Sequence, residues 1–496
     1  MIRLLIMSFF LVVVGEAKCQ FQYFELVEGI PGDTISELTT SIELSDNGYV
    51  SWGLYSTIGY NHVYLYEYDN TGIRIDSNAF THPNEFVYIG TAQSFIKDTA
   101  TGGYLYSSGI SQSDNTLAGY LMSFSNESDT NFTKRYSPYQ QTYIRGVGIF
   151  EDEYILLGDY SPNDGFVGTF MLRTNLEGEV LSNTILHEYE NLANYSNSYI
   201  ERVGEKYFIS GLVMDSGDQY GMLSITDLEG NLLEEIEYYD QGYDDWSPLG
   251  LTKLANEEIM VVQSLGYEEY DDPLNQGFYW KNIRLAKIDP EAGDEYWSQT
   301  YQDQNDIIRG RWMDIEPTDD GGIVILGFGY SDDIFSYCWL MKVDAEGNEE
   351  WFQTYWIEEG GFAVNWLRDV EVAHDGGYIM AGTVENYDID DYSRAWILKV
   401  DACGDTEWQD CQPLSSEKPV DEPSVVLYPN PTSDMLFWDG QFESMKIYDI
   451  QGKIVLEQNQ AMTIQSISIN KLESGFYTVV IEKQGKSYSQ KLLIER

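Results

Sequence analysis

The sequence predicts an all-β protein, a seven-bladed β-propeller followed by a small antiparallel β-sandwich of Ig-like type. Three observations predict it. A phrase of apolar strand, Asp-Gly-Gly-Tyr turn, second strand ending at Gly and third strand closing on Asp-x-x-Gly recurs along the chain. It is clearest at Asp320-Gly321-Gly322-Ile323 with Asp344-Ala345-Glu346-Gly347, and at Asp375-Gly376-Gly377-Tyr378 with Asp401-Ala402-Cys403-Gly404. The residue after each turn falls at Tyr49, Tyr104, Tyr154, Tyr207, Ile259, Ile323 and Tyr378, a period of about 50 to 64 residues that suits a four-stranded blade. No segment carries a sustained 3.6-residue apolar period, so helix should be scarce.

Taken in order, residues 1–19 read as a signal peptide: Arg3, an apolar run over 4–14, then the small-x-small site Gly15-Glu16-Ala17. The run is shorter than the ~20 residues of a membrane span, and Glu16 and Lys18 spoil a lipobox at Cys19. Residues 20–411 hold the repeats. The segment 21–27 reads as a spare strand, expected to close the ring by pairing with the outer part of the seventh unit. The Asp-x-x-Gly element suits a tight hairpin, since Asp bonds the backbone two residues on and Gly supplies a positive φ. Asp69/Gly72, Asn175/Gly178, Asp227/Gly230, Asp344/Gly347 and Asp401/Gly404 keep the spacing; Asp289/Gly293 has one residue more, and the second unit lacks the Gly. Each loop offers too few oxygens for a calcium site of its own. Residues 412–423, with Pro413, Pro419 and Pro423, read as a linker. The domain at 424–496 offers strands near 424–428, 435–438, 444–450, 453–458, 465–469, 475–482 and 486–493.

The net charge is −54, from 28 basic and 82 acidic residues, and nearly all of the excess lies in the repeats. Such a surface repels nucleic acid and anionic lipid headgroups. It favours divalent cations, cationic partners or neutral glycans, or serves solubility in a saline habitat. Export permits a disulfide, expected between Cys403 and Cys411, whereas Cys338 sits in a strand as a small buried hydrophobe. His62, His82, His187 and His374 fall in different units, so neither a histidine metal cluster nor a Ser-His-Asp site is indicated.

The end of the chain resembles the type A sorting domain of the type IX secretion system of Bacteroidetes-type bacteria. The matching residues are Leu427-Tyr428-Pro429-Asn430-Pro431-Thr432, Ile447-Tyr448-Asp449-Ile450-Gln451-Gly452-Lys453, Leu472-Glu473-Ser474-Gly475-Phe476-Tyr477 and Gln490-Lys491-Leu492-Leu493-Ile494. The resemblance implies export through the type IX machinery, then release or attachment to surface lipopolysaccharide after the domain is removed. It makes Pro429, Asn430, Pro431, Gly452, Gly475, Tyr477 and Lys491 the sorting signal. The repeats are similar to secreted propellers joined to such domains, with Lys342 to Trp351 and Lys399 to Trp408 fitting a Lys-x-Asp-x-x-Gly-x-x-x-Trp pattern. That likeness implies no agreed activity. Kelch repeats and the sialidase Asp-box fit poorly.

Both Gly turns of a unit share one face of a propeller, so the longer connections open on the other. They carry Asp244, Asp245 and Trp246; Glu268, Glu269, Tyr270, Asp271 and Asp272; Asp332 and Asp333; Glu358 and Glu359; and Asp388, Asp390 and Asp391. Carboxylates beside aromatic rings suit glycan recognition or a calcium-assisted contact, and equally a solvated acidic rim. No catalytic residue and no obligatory cofactor is assigned. The expectation is a secreted or surface-displayed binding or adhesion propeller, with a polysaccharide-active enzyme using these carboxylates, or a purely structural surface protein, as alternatives.

Overall fold

The computed structural model describes residues 24–406 and 426–494, apart from 29–35, 47, 58–59, 82–84, 89–91, 112–115, 162–167, 189–193, 216–217, 239–244, 247–248, 269–277, 292, 303–309, 331–335, 359–362, 387–392, 429–431, 433–434, 440–443, 449–452, 460–465, 473–474 and 484–485. Among the described residues the structure is all β, with helix confined to the single turn Ala92–Ser94. The chain divides into two compact units, Met1–Cys411 and Gln412–Arg496.

The first unit is built from antiparallel up-and-down meanders, which we name A to G in chain order. A comprises Ser36–Ser45, Gly48–Thr57, Tyr60–Asp69 and Arg74–Thr81. B comprises Phe95–Lys97, Tyr104–Ser111, Leu117–Phe124 and Thr130–Tyr136. C comprises Gln141–Phe150, Glu153–Ser161, Gly168–Asn175 and Val180–Glu188, and joins B through one parallel pairing of Gln141 with Leu117. D comprises Asn194–Val203, Lys206–Asp215, Asp218–Asp227 and Leu232–Tyr238. In E, Asp245–Trp246 and Gly250–Lys253 share the first place, before Ile259–Glu268, Phe278–Ile288 and Glu295–Tyr301. F comprises Arg311–Pro317, Ile323–Gly329, Tyr337–Val343 and Glu349–Tyr355. G comprises Ala363–Val372, Tyr378–Asn386 and Arg394–Val400, and borrows its fourth strand, Phe24–Glu28, from the start of the chain. That strand runs antiparallel to the third, Phe24 opposite Lys399 and Glu28 opposite Ala395, as the spare-strand reading expects.

First strands of consecutive meanders lie against each other, with Ala92–Ser94 and Tyr104–Ser111 taking this part between B and C, and the first strand of G touches that of A, so the sheets form a closed circuit. Each sheet is therefore covered on both faces. This explains why the middle strands read as unbroken apolar runs: every residue of Ile323–Gly329 and Tyr337–Val343 is buried. Fourth strands such as Thr130–Tyr136 and Glu295–Tyr301 are largely exposed and end on a buried Tyr. Leu326, Leu340, Val370, Met380 and Trp396 fill the space between F and G, and Ile42, Tyr49, Ile379 and Ile397 that between G and A.

The recurring phrase now has a physical reading at each letter. In Asp-Gly-Gly, Asp320 pairs with Lys342 at 2.9 Å and Asp375 with Lys399 at 2.8 Å, so the Asp of the first turn and the buried Lys of the third strand form one ion pair. The first Gly stands at positive φ, 86° at Gly321 and 81° at Gly376. The second Gly is squeezed: a Cβ at Gly377 would lie 2.2 Å from the Val400 carbonyl oxygen and 2.6 Å from Lys399 Nζ. Gly327 lies within the second strand, which runs on to Gly329, and faces Trp339 across the ladder, where a Cβ would lie 2.0 Å from the indole. In Asp-x-x-Gly, Asp344 Oδ1 accepts the Glu346 and Asn348 N–H groups at 3.0 and 2.8 Å, the expected turn chemistry. Where the second unit lacks its Gly, Ser128 adopts φ 59° and its hydroxyl donates to Glu67 of meander A.

Cys403 is disulfide-bonded, and its expected partner Cys411 lies outside the described residues. Cys338 is a free, buried thiol.

In the second unit, Val426–Tyr428, Met435–Asp439 and Ser466–Ser468 form one sheet, and Ile454–Asn459, Ser444–Tyr448, Gly475–Lys483 and Lys486–Ile494 another. Leu436, Met445, Ile447, Ile469, Val479 and Leu492 make a core common to both.

Candidate functional site

A first strand has one edge on its neighbour in the sheet and one edge free, and a buried N–H left without a partner costs about 1–3 kcal/mol. Side chains of the preceding meander meet these groups. From F, Ser336 Oγ accepts Asn365 N–H at 2.8 Å, Cys338 Sγ accepts Leu367 N–H at 2.9 Å, and Asp314 Oδ2 accepts Val370 N–H at 3.0 Å. From G, Asp369 Oδ2 accepts Ile42 N–H at 2.7 Å, and from A, Glu43 Oε1 accepts Lys97 N–H at 2.7 Å. Ser264 of E receives Trp312 N–H at 2.9 Å, and Glu201 of D is bonded by the Lys253 backbone. Cys338 is thus more than the small hydrophobe expected; burial pushes its thiol up to about 12, so it stays protonated and donates to the Asn365 carbonyl at 3.3 Å.

These duties crowd acids together. Burial, reinforced by neighbouring acids, lifts Glu43 to about 8 and Glu201 to about 7, and raises Glu316, Asp369 and Glu371 well above the ordinary carboxylate range. Asp369 and Asp314 are hydrogen-bonded to each other, and Asp369, with its carboxyl raised by burial and by the Asp314 charge, holds the proton and donates it. Tyr199 OH donates to Asp314 Oδ1 at 3.4 Å. Among the described residues no group of three or more His, Cys, Asp or Glu is arranged to hold a metal ion.

A β-bulge divides several first strands at one shared register, leaving Thr40, Arg145, Ser198, Met313 and Arg368 as the extra residues. The acids lie between the bulge and the Gly turn. Arg145 and Arg368 stand at the bulge and Arg311 lies beyond it. The Arg145 guanidinium covers the Tyr143 ring at 4.4 Å and pairs with Asp159 at 2.6 Å, though burial still lifts Asp159 to about 6. Arg368 covers Trp366 at 3.8 Å.

Of the residues singled out in the sequence, Asp244, Glu269, Tyr270, Asp271, Asp272, Asp332, Asp333, Asp388, Asp390 and Asp391 lie outside the described residues. The backbones of Asp245 and Trp246 pair with Gly266 and Leu265, and that of Glu268 with Phe278. Glu358 is described and is engaged within the fold. Burial opposes its charge, but hydrogen bonds from Asn386 and Arg394 outweigh burial and hold its carboxyl below the usual range. In the second unit Gly475 pairs with Ile494, Tyr477 with Leu492 and Lys491 with Thr478, while Pro429, Asn430, Pro431 and Gly452 lie outside the described residues.

The inner-strand acids and arginines escaped sequence reasoning because residues of different type do one job in different units. For the acids the signal was their common register, two to six residues before the Gly turns of A, D, F and G; for Arg145 and Arg368 it was the shared bulge position.

Residues 426–495 match the family described as secretion system C-terminal sorting domain. The segment directs the chain through type IX secretion to the cell surface or beyond, with the tail cleaved. No curated protein matches the chain. Among solved structures the chain is similar to the periplasmic gluconolactonase of Pseudomonas aeruginosa, at 9% identity and TM-score 0.41 over 65% of this chain and 96% of that one. A protein of unknown function from Dyadobacter fermentans gives 8% identity and TM-score 0.41 over 64% and 98%. The GH93 α-L-arabinofuranosidase of Fusarium graminearum gives 11% identity and TM-score 0.39 over 76% and 98%. Likeness at this level carries no argument about activity.

Proposed function

We propose that this chain, exported by its sorting domain, is a seven-bladed β-propeller, meanders A to G being its blades, that binds a glycan at the cell surface without turning it over. The domains follow the sequence reading: signal peptide 1–19, propeller 20–411, linker 412–423 and an Ig-like sorting domain 424–496. The observation that carries the non-catalytic reading is the engagement of the buried carboxylates. Asp314, Asp369 and Glu43 each accept a backbone N–H of the next meander, at 3.0, 2.7 and 2.7 Å. An acid that must hold a neighbouring strand is poorly placed to cycle a proton or attack a sugar. Binding is left to the long connections on the face away from the Gly turns, where Asp244, Asp245, Trp246, Glu268, Glu269, Tyr270, Asp271, Asp272, Asp332, Asp333, Asp388, Asp390 and Asp391 lie in sequence.

Glycan-array binding of the purified protein, with calcium and again with chelator, tests this. Retention of one glycan class supports it, and loss in chelator assigns calcium to the contact. Turnover of a glycan, abolished by acid-to-amide substitution in these loops, would replace it with the enzyme reading. Neither binding nor turnover would leave a structural surface role.

A further inference from the structure

Arginine is scarce in this protein, and a guanidinium inside it should be paired. Arg145 obeys: it lies on Tyr143, and Asp159, directly opposite Tyr143 in the ladder, is its counter-ion at 2.6 Å. Arg368 occupies the same bulge register in meander G and lies on Trp366 in the same way. The residue opposite Trp366, however, is Thr383. Among the described residues Arg368 has no hydrogen bond and no ion pair. Its half-buried guanidinium is lowered to about 10 by burial, with Glu385 acting only from a distance and Arg311 adding like-charge repulsion. A path of aromatic rings leads outward from it. Trp366 lies 5.7 Å from Phe328, and Phe328 lies 5.5 Å edge-on from Tyr330, which follows the second strand of F where the long connection begins and is 41% exposed.

We propose that Arg368, seated on Trp366, is the anchor for the carboxylate of an acidic sugar, a uronate, entering from the long-loop face. This rests on the glycan-binding reading and names its ligand class. A planar carboxylate takes two parallel N–H donors from a guanidinium fork, and an arginine already stacked on a ring presents that fork at little entropic cost. Tyr330, packed edge-on against the buried Phe328, supplies apolar ring surface for the sugar along the approach.

The test is calorimetry on the full chain with trigalacturonate, a neutral galactose trisaccharide and a sulfated galactose trisaccharide of equal length. Trigalacturonate should bind best, with affinity falling about tenfold or more in Arg368→Gln and less in Arg368→Lys, since one charged bidentate contact is worth roughly that much. It should also quench Trp366 emission, read against Trp366→Phe. The melting temperature of Arg368→Gln should stay close to the parent's, because among the described residues Arg368 makes no hydrogen bond or ion pair and its contact is the stacking on Trp366. Were that variant to misfold, Arg368→Lys and competition by free galacturonate would carry the test. Equal binding of the neutral or sulfated sugar, trigalacturonate binding untouched by Arg368→Gln, or no uronate binding would each overturn the proposal. Array binding of a neutral glycan that survives Arg368→Gln would leave the broader reading standing.

Discussion

Asp369 and Ile42 are 327 residues apart in sequence, yet the Asp369 carboxyl accepts the Ile42 N–H at 2.7 Å. The bond joins the first strand of the last meander to that of the first, and the strand Phe24–Glu28 closes the same junction from the outer side. Two devices guard one seam. Asp369→Ala should cost about 2 kcal/mol or more by leaving that N–H buried and unpaired. Removing residues 20–28 should lower the melting temperature sharply, by exposing the edge of Arg394–Val400. An unchanged melting temperature in the truncated protein would sink the closure by this strand.

Stability should depend on pH in a direction unusual for a carboxylate-rich protein. Glu43 and Glu201 have folded values near 8 and 7, above the 4.5 of the ordinary side chain. Between those values the folded state binds more protons than the unfolded one. Stability fully present below about pH 4.5 is therefore lost as pH rises through 7 and 8. The turn acids Asp69 and Asp227, lowered chiefly by hydrogen bonds from Thr71 and Asn231, work in the opposite sense and lose their contribution in stronger acid. The melting temperature should peak in mild acid and fall toward pH 9, and Glu43→Gln should flatten the fall. A profile level across that span in both proteins would count against it.

Tyrosine hydroxyls at the ends of fourth strands reach the Gly carbonyl in the next meander's turn: Tyr136 to Gly178 at 2.9 Å, Tyr301 to Gly347 at 2.8 Å and Tyr355 to Gly404 at 2.6 Å. Tyr238 is the exception. The turn of the next meander there has the additional residue, Asp289 to Gly293, and the Tyr238 hydroxyl is buried without a hydrogen-bond partner among the described residues. Phe at 301 or 355 should cost about 1 kcal/mol each, whereas Tyr238→Phe should be neutral or slightly stabilising. Equal losses at all three positions, measured by denaturant midpoint, would refute the distinction.

The two glycines of a turn should differ. Gly376→Ala meets no atom within 4 Å and suffers only the positive φ, costing about 1 kcal/mol. Gly377→Ala collides with the Val400 carbonyl and should cost about 3 kcal/mol. Lys399→Met should cost a similar ~3 kcal/mol by stranding Asp375. Thermal melts of the three variants would check the order, and Gly376→Ala as the worst would contradict it.

The turns and strands were legible because their chemistry is local. Asp344 and Gly347 act within four residues, and apolar runs such as Ile323–Gly329 carry their burial in their composition. The join of Asp375 to Lys399 was half legible, both letters recurring without their meeting being visible. The edge acceptors were not legible at all. Ser264, Cys338, Asp314, Asp369 and Glu43 share a task but no residue type, and each acts on a strand of another meander. The acidic loops misled in one described case, where Glu358 proved to be bound by Arg394 and Asn386.

By itself the sequence determined the all-β class, the repeat, the sorting domain and the turn chemistry, since each depends on residues close together in the chain. The tertiary structure decided which carboxyl groups hold a neighbouring strand, which carry protons, and that Thr383 stands opposite Trp366 where Asp159 stands opposite Tyr143 and pairs with Arg145. Those properties arise from burial and from partners on other strands, 14 residues away for Arg145 and 327 for Asp369, and a repeat period cannot record whether a charge has found its counter-ion.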